Sequence, residues 1–448
     1  MKTTDLRGAA RLAAEATAGL TDLVEALHER IARLPGLPGL GGALDGRTTG
    51  ITGLVYKSIR GITRVVGGTV DGLLGLITPA LSGTGPTALP SPEREAVVAA
   101  LNGVLGDHLA ATHNPLATPM ALRSEGRALV LCGAALDGAV LEYTALSARF
   151  PQASPTLLVM VHGLCMNDLQ WQREGHDHGA MLAPLLGATP LYLHYNTGRP
   201  IAQNGLEFAG LLQRLVSQWP VPVQRVLLLT HSMGGLVSRS ALHQAAAAGH
   251  TWPILVSDVV FLGTPHHGAP LERAGHGLDI VLGAAPYAAP LARLGKVRSA
   301  GITDLRHGHC TTGTAPLPLP AGPRCWTVAA VLGDGEKALT GRWLGDGLVP
   351  LESAMGHHKQ AERTLAFAPE RQCVVQATNH LQLLSSPAVA AQLQRWLMPT
   401  ALPTSHSTAP ATSQPTAPAT APVTPPAPPA PAAPAKSKRQ PQAVRGTP

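Results

Sequence analysis

Apolar residues near the start of the chain recur every three or four positions, which is the spacing of one face of an α-helix. One stripe runs over residues 6–34 and a second over residues 55–77, with a proline- and glycine-rich break between them. The pattern predicts two amphipathic helices within an N-terminal helical region, residues 1–90. The second stripe is basic on its other faces, so it could lie on a lipid surface. Packing against a neighbouring element is the commoner use of such a helix and is the one we favour.

The pattern changes after residue 90. Ser91-Pro92-Glu93 is typical of a helix start, with an N-cap followed by proline at the first helical position, and it predicts a helix to about His108. From about residue 128 short apolar runs alternate with helical stretches, which is typical of a mostly parallel central sheet with helices on both faces. Strands are predicted at Leu129–Cys132, Thr156–Val161, Thr189–Tyr195, Val226–Leu229, Val259–Leu262, Trp326–Val331 and Cys373–Gln376. Helices are predicted near residues 178–186, 201–218 and 234–248, and after Ser386-Pro387.

Composition divides the chain into three parts. From residue 399 onward alanine, proline, threonine and serine dominate, so little apolar surface is available to offset the entropy of ordering the backbone. We therefore expect residues 399–448 to form a disordered, basic, Ala/Pro-rich tail. The predicted organisation is an N-terminal amphipathic helical region (1–90), an α/β domain (91–398) and this tail.

Charge and cysteine content exclude several functions. The net charge is +7, but the acid-free tail carries four basic residues, which leaves only +3 for the rest of the chain. No nucleic-acid partner is expected from so weak a charge. The five cysteines are scattered and lack Cys-x-x-Cys spacing, which indicates neither a disulfide framework nor a zinc knuckle. Neither a secretory signal nor a transmembrane helix is predicted, so the expected location is the cytoplasm.

The strongest chemical motif is an apolar strand that leads through serine into a helix start of small residues, Val226-Leu227-Leu228-Leu229-Thr230-His231-Ser232-Met233-Gly234-Gly235. A serine on such a tight strand-to-helix turn projects its hydroxyl from the sheet, and the helix N-terminus directs backbone N–H groups toward developing negative charge. The motif departs from Gly-x-Ser-x-Gly because Thr230 occupies the first glycine position. A helix-capping serine is the simpler alternative, but the preceding strand and the paired glycines favour Ser232 as a nucleophile.

With this serine motif the sequence resembles the α/β-hydrolase family, in particular its bacterial lipase and GPI-inositol-deacylase-like esterase branch. The strand and His-Gly turn Leu158–Leu164 and the loops Tyr195–Arg199 and Phe261–Gly268 are similar to segments of that family. The resemblance spans about residues 125–398. It implies an α/β-hydrolase fold, an oxyanion hole formed by the backbone N–H groups of Leu164 and Met233, and substrate contacts from His162, Gly163 and His231.

The chain order of this family, serine then acid then histidine, points to two further residues. His380 follows the last predicted strand and precedes the last helix, where the general base belongs. Two Gly-Asp-Gly segments compete for the acid, at Asp334 and Asp346. We favour Asp346, because Leu348-Val349 can anchor its loop in the core and because Asp-Gly-x-Val-Pro matches the acid loop of the family. The charged residues that follow Asp334 indicate a solvated turn instead.

Histidine and cysteine residues also suggest other chemistries. Four histidine clusters could bind a metal, namely His176/His178, His266/His267, His307/His309/Cys310 and His357/His358. Each lies in a different loop and acids are almost absent from them, so ordinary loop or helix-cap histidines are the preferred interpretation and no metal is expected. Cys165 follows the His-Gly turn but lacks an elbow, so we interpret it as a packing residue and not as a thiol nucleophile.

Together these patterns predict a serine hydrolase that cleaves carboxylic esters through an acyl-enzyme without a cofactor, with catalytic residues Ser232, Asp346 and His380. Residues 269–324 form an apolar, lid-like insertion that favours acyl or lipid esters, although ordinary loop packing is the alternative. Two rival functions are acyl transfer by the same residues and a non-catalytic adaptor that docks through the N-terminal helices on a lipid or granule surface. The acyl-chain length and the oligomeric state are not indicated by the sequence.

Overall fold

The structure, a computed structural model, describes residues 92–131, 146–269, 299–313, 315–333 and 345–398. Both predicted N-terminal helices, the predicted tail and most of the lid-like insertion lie outside the described residues. So do Ser91, the expected N-cap, and Asp334, the rival acid. Within the described residues no helix is long and apolar enough to cross a membrane.

The described residues form one sheet whose strand order is β2-β1-β4-β3-β5-β6-β7-β8. Strands β3 to β8 run parallel to one another, whereas β1 is antiparallel to both of its neighbours. The strands are β1 (Ala121–Ser124), β2 (Arg127–Ala128), β3 (Thr156–Val161), β4 (Thr189–His194), β5 (Arg225–His231), β6 (Val256–Leu262), β7 (Arg324–Ala330) and β8 (Gln372–Val375). The mostly parallel central sheet that the sequence predicts is therefore confirmed.

Helices cover both faces of this sheet. They are α1 (Pro92–Ala111), α2 (His178–Leu186), α3 (Ile201–Gln218), α4 (Met233–Ala247), α5 (Ala300–His307), α6 (Leu351–Ala354) and α7 (Pro387–Leu397). Side chains of β3 alternate between two cores: Leu157 and Val159 join α1, α3 and α4 in one, while Leu158 and Met160 join α2 and α7 in the other. The continuous apolar runs of the central strands are therefore explained by burial on both faces.

One predicted strand is wrong. Residues 129–131 of the predicted strand Leu129–Cys132 are irregular, and Cys132 lies outside the described residues. The chain instead forms the short hairpin β1–β2 just before them, because Glu125 and Gly126 both take positive φ, at 52° and 71°. Two consecutive positive φ values suit a two-residue hairpin turn, and a single hydrogen bond from the Leu129 N–H to the Leu122 carbonyl, at 2.7 Å, extends the pairing.

Helix α1 is part of the main core and not an appendage. Its residues Val97, Leu101 and Val104 are buried in the same apolar cluster as β3 and α3. Close backbone contacts join it to the loop after β4, since a Cβ on Gly198 would lie 2.2 Å from the carbonyl oxygen of Asn102. The Ser299 hydroxyl also donates to the Gly103 carbonyl at 2.7 Å. The first described helix is thereby fixed at the carboxyl ends of the strands.

Candidate active site

The predicted site residues follow the carboxyl ends of parallel strands, which is where open α/β sheets form their binding crevices. His162 follows β3, Ser232 follows β5 and His380 lies in the loop after β8. Ser232 and His380 line one cavity of about 360 Å³, its open mouth included. Its other lining residues are mainly apolar: Gly163, Leu164, Met166, His231, Pro265, Ala269, Leu305, Leu348, Val349 and Leu381.

Ser232 occupies a strained turn between β5 and α4. Its φ of 54° and ψ of −125° lie in a region that residues with a side chain rarely adopt. The Ser232 N–H donates to the Leu262 carbonyl at 2.9 Å, which ties the turn to the end of β6. Gly234 permits this geometry, because a Cβ there would lie 2.3 Å from the carbonyl oxygen of Val161. The tight strand-to-helix turn predicted from the sequence is therefore present.

Thr230, at the position where the family motif has glycine, is accommodated by a hydrogen bond. Its side chain is fully buried, and its hydroxyl donates to the carbonyl of Val260 on β6 at 2.8 Å. A buried hydroxyl with a partner carries no desolvation penalty of the kind that an unpaired one would. The departure from the motif therefore adds a link between β5 and β6 instead of disrupting the turn.

Asp346 and His380 are in direct contact. Oδ2 of Asp346 lies 2.7 Å from Nδ1 of His380, and both side chains are almost fully buried. Oδ1 of the same carboxylate accepts hydrogen bonds from the backbone N–H groups of Leu348 and Val349, at 3.0 and 2.8 Å. Since an ionised carboxylate only accepts, Nδ1 of His380 carries the proton and Nε2 is left as an acceptor. This is the tautomer that a general base for Ser232 requires.

The loop that holds Asp346 is anchored as its sequence predicts. Leu348 and Val349 are buried in a small apolar cluster with Val331 and Ala329 of the neighbouring strand end. Gly345 has φ 58°, and a Cβ at this position would lie 1.9 Å from the carbonyl oxygen of Val349. The glycine before the acid is thus required by both the backbone conformation and the close approach.

The His-Gly turn after β3 lies directly beside the serine. A Cβ on Gly163 would be 2.9 Å from Cβ of Ser232, so only glycine lets the two turns approach. Within the described residues no group accepts a hydrogen bond from the backbone N–H of Leu164. Met233 is the first residue of α4, and the first N–H groups of a helix have no intrahelical acceptor. These two amides are the donors that the resemblance assigns to an oxyanion hole.

His162 and His231 are buried and neutral. Burial lowers the pKa of His162 to about 3, and its ring stacks on Tyr195 with 4.5 Å between centroids. Burial and the neighbouring His380 hold the pKa of His231 well below its usual value. Nε2 of His231 lies 3.0 Å from the carbonyl oxygen of His380 and donates to it, because a carbonyl can only accept. His231 therefore supports the backbone of His380, while His162 does not line the cavity.

Cys165 has the surroundings of a packing residue. It is buried, and burial raises the pKa of its thiol to about 12. Its Sγ lies against α1, where a Cβ on Gly103 would be only 2.1 Å away. A thiol held in its protonated form is a poor nucleophile. The four cysteines of the described residues are all free.

A buried ionic cluster next to this site has no signature in the sequence. Nη1 of Arg123 lies 2.9 Å from Glu95 and 3.0 Å from Asp168, and His194 Nδ1 lies 2.9 Å from Asp168. Burial opposes the charged form of Asp168, but the contact with His194 and the charge of Arg123 outweigh it and lower its pKa. The cluster joins α1 and β1 to the segment that follows the His-Gly turn. Four residues spread over 100 positions of sequence form it, which explains why no local pattern revealed it.

Of the described residues, Glu95, Asp168 and His194 alone form a group of three with metal-ligand atoms close together. Arg123 already supplies a positive charge to both carboxylates, so the group is an ion-pair network. None of the four histidine clusters singled out in the sequence belongs to such a group within the described part of the chain. His176 Nε2 and His178 Nδ1, for example, lie 2.7 Å apart and bind each other.

Comparison with known proteins gives one family-model match and a set of similar solved structures. Residues 209–307 match the family model of the PGAP1-like alpha/beta domain, whereas no curated protein matches the sequence significantly. Among solved structures, the chain is similar to the mature lipase BlEst2 of Bacillus licheniformis, with 21% identity, 54% of this chain and 91% of that chain covered, and a TM-score of 0.38. Lipase 1 of Pelosinus fermentans is 12% identical, with 55% and 100% covered and a TM-score of 0.36.

Naproxen esterase of Bacillus subtilis is likewise similar, with 12% identity, 55% of this chain and 84% of that chain covered, and a TM-score of 0.33. The assignment of the fold rests on the strand order, the helices on both faces and the turn at Ser232. These features and the family-model match confirm the α/β-hydrolase fold that the sequence predicts. The protein has the α/β-hydrolase fold, and residues 209–307 are similar to the PGAP1-like alpha/beta domain.

Proposed function

We propose that this protein is a serine hydrolase that cleaves carboxylic esters through an acyl-enzyme. The observation that carries the proposal is that one cavity is lined by Ser232, on its strained turn, and by His380, whose Nδ1 contacts the buried Asp346 at 2.7 Å. Nucleophile, base and orienting acid are the three parts of this mechanism.

In the proposed reaction the Ser232 hydroxyl attacks the ester carbonyl carbon and its proton passes to Nε2 of His380. The new C–O bond forms as the carbonyl π electrons move to oxygen, and the backbone N–H groups of Leu164 and Met233 bind this oxyanion. Collapse breaks the bond to the alcohol, which leaves with the proton from His380. Water then attacks the acyl-enzyme by the same route and releases the acid. Asp346 keeps the His380 ring oriented and stabilises its protonated form.

The substrate class follows from the cavity wall. Its side chains are largely apolar, and within the described residues no carboxylate or basic side chain other than histidine lines it. Each methylene group that the substrate buries contributes about 0.8 kcal/mol. We therefore assign an ester with an apolar acyl chain as the substrate.

The test is an activity profile over p-nitrophenyl esters from acetyl to palmitoyl, with fluorophosphonate labelling in parallel. Ser232→Ala should abolish labelling and lower hydrolysis at least about a thousandfold, because no other group replaces the covalent step. Ser238→Ala is the matched control, since Ser238 is a buried serine of α4, the helix that follows Ser232, and does not line the cavity. Labelling that persists in the Ser232→Ala protein, on Cys165 or on another serine, would refute the proposal.

A further inference from the structure

A second pocket, away from the candidate active site, contains a buried positive charge without a counter-charge. Arg239 of α4 is only 3% exposed. Its guanidinium has two partners, the side-chain Nδ1 of His266 at 3.3 Å and the backbone carbonyl oxygen of Leu317. No carboxylate of the described residues lies within ion-pair distance of it. Arginine stays protonated inside proteins, and such a charge is normally paired with an anion.

Three buried N–H donors of this pocket have no acceptor among the described residues. They are Nε of Arg239, Nε2 of His266 and Nε of Arg363. The state of the histidine follows from its partner: Arg239 can only donate, so Nδ1 of His266 accepts and the proton is on Nε2. Burial and the charge of Arg239 also hold the pKa of His266 well below its usual value, so the ring is neutral. All three orphan atoms are therefore donors, and they need an acceptor.

These three residues line one pocket with His267, His307, His309 and Cys310. No carboxylate lines it, although Oδ1 of Asp304 lies 3.8 Å from Nδ1 of His309 at its margin. The side chain of His267 is already used, because its Nε2 binds the Gly356 carbonyl at 2.9 Å. Unsatisfied donors on residues that line a pocket without a carboxylate fit an oxyanion. They do not fit a metal, which needs lone pairs, and in the described part of the chain no metal-ligand group of three includes these histidines.

An apolar groove of about 690 Å³ adjoins the pocket, and Arg239 and Leu317 belong to the walls of both. Its remaining walls are largely hydrocarbon, from Leu242, Ala246, Pro253, Pro318, Leu319 and Pro320. A ligand that fills both the pocket and the groove has a compact anionic end and an alkyl chain. Burial of the chain and charge-assisted hydrogen bonds to the head would act together.

We propose that this pocket binds the oxyanion head, a carboxylate or a phosphate, of an amphiphile whose alkyl chain lies in the adjoining groove. Arg239, His266 and Arg363 donate to the head, and Leu242, Leu317 and Leu319 pack on the chain. The pocket shares no lining residue with the cavity at Ser232. The inference therefore stands independently of the proposed ester hydrolysis.

The experiment is a calorimetric titration of the full-length protein with decanoate, decyl phosphate, inorganic phosphate and decanol. Either amphiphilic anion should bind at least tenfold more tightly than decanol, and the tighter of the two identifies the head. Arg363→Gln should weaken that binding at least tenfold and leave ester turnover unchanged, because Arg363 is only half-buried and lies outside the cavity at Ser232. Arg239→Lys keeps the positive charge but lacks the Nε donor. It should also weaken binding of that anion at least tenfold, at an unchanged melting temperature.

Arg214→Gln is the matched control, because Arg214 is on α3 and lines neither pocket. The inference is overturned if neither decanoate nor decyl phosphate binds, or if decanol binds as tightly as they do. It is also overturned if Arg363→Gln binds both anions as tightly as the control Arg214→Gln and the unaltered protein do. Binding of inorganic phosphate with the same affinity as decyl phosphate would also overturn it, since the groove would then contribute nothing. A loss of ester turnover in Ser232→Ala has no bearing on these outcomes.

Discussion

Asp346 contacts His380 twice. Its carboxylate oxygen Oδ2 lies 2.7 Å from the ring Nδ1, and its backbone carbonyl accepts a hydrogen bond from the His380 N–H at 3.0 Å. The ring and the main chain of the histidine are therefore both fixed by one residue. This double contact separates the effect of the charge from the effect of the loop, because a change of side chain leaves the backbone bond in place.

Asp346→Asn should lower ester turnover by several orders of magnitude, because the neutral amide stabilises neither the required tautomer nor the protonated ring of His380. The turnover number and the melting temperature are measured together, so that a folding defect is recognised. Asp334→Asn is the matched comparison and should cost far less. A larger loss in Asp334→Asn at unchanged stability would show that Asp334 is the acid.

Thr230→Val should destabilise the fold by about 1 kcal/mol, since the isosteric change removes the hydrogen bond to the Val260 carbonyl and leaves a buried acceptor. Urea denaturation measures this difference. Ester turnover should stay within about twofold, because the hydroxyl points to β6 and not to the cavity. If turnover falls with stability intact, Thr230 has a role at the turn that its hydrogen bond does not explain.

Gly234→Ala should destabilise the protein by about 1–3 kcal/mol, the range for overpacking, because the new Cβ would lie 2.3 Å from a backbone oxygen of β3. Gly210→Ala on α3 is the matched control. Its Cβ meets only the end of Arg214 at 3.5 Å, so the gain in helix propensity should stabilise the fold by about 0.5–1 kcal/mol. Equal effects at the two positions would contradict the close approach of α4 to β3.

Arg123→Met should cost about 3–5 kcal/mol at neutral pH, because it takes the guanidinium away from the buried carboxylate of Asp168 and leaves Glu95 with Arg94 alone. Arg214→Met serves as the control arginine on α3 and should be nearly neutral. Chemical denaturation at pH 7 compares the two. A cost below 1 kcal/mol for Arg123→Met would mean that the cluster is solvated enough to tolerate an unpaired acid.

The same variant should weaken the dependence of stability on pH that the cluster produces in acid. The pKa of Asp168 is lowered in the folded protein, so its contribution to stability is present above the unfolded pKa of about 4 and is lost as the pH falls through the folded value. Without Arg123 the variant loses one of the contributions that lower this pKa but keeps the contact with His194, so its stability should rise less steeply with pH between pH 3 and pH 7 than that of the unaltered protein. Denaturation curves between pH 3 and pH 7 compare the two slopes, and equal slopes would contradict a contribution from Arg123.

Removal of residues 399–448 should leave the melting temperature and the turnover number unchanged. The composition of this segment offers little apolar surface for a core. Thermal denaturation and steady-state kinetics of the shortened chain test this expectation. A decrease of several degrees would show that the tail docks on the folded domain.

Local sequence patterns predicted most of the elements because each depends on near neighbours. Residues 156–161, 178–186 and 201–218 have the predicted bounds, since apolar runs there are closed by proline, glycine or a capping aspartate. The hairpin at Glu125-Gly126 was missed because a non-glycine residue takes a positive φ in its turn. Because this turn was missed, the strand was predicted at Leu129–Cys132, just after the hairpin that the structure contains.

The candidate site also has a part that the sequence predicted and a part that it could not predict. Motif order placed Ser232, Asp346 and His380 on loops that the fold brings to one edge of the sheet, although their catalytic roles stay predictions. The cluster of Glu95, Arg123, Asp168 and His194 was out of reach, because it depends on side chains that only the packing of α1 and β1 brings together. Arg239 looks like an ordinary polar residue of an amphipathic helix until the absence of a carboxylate beside it, among the described residues, is seen.

The ionic bond between Glu95 and Arg123 also decides where this molecule can be shortened. A fragment that begins at β1 would keep Arg123, Asp168 and His194 but lose one of two acids, and it would expose the apolar surface that α1 covers. A shortened chain therefore has to keep Pro92–Ala111, which comes before any described strand of the sheet. A screen of truncated genes should yield aggregates once α1 is removed.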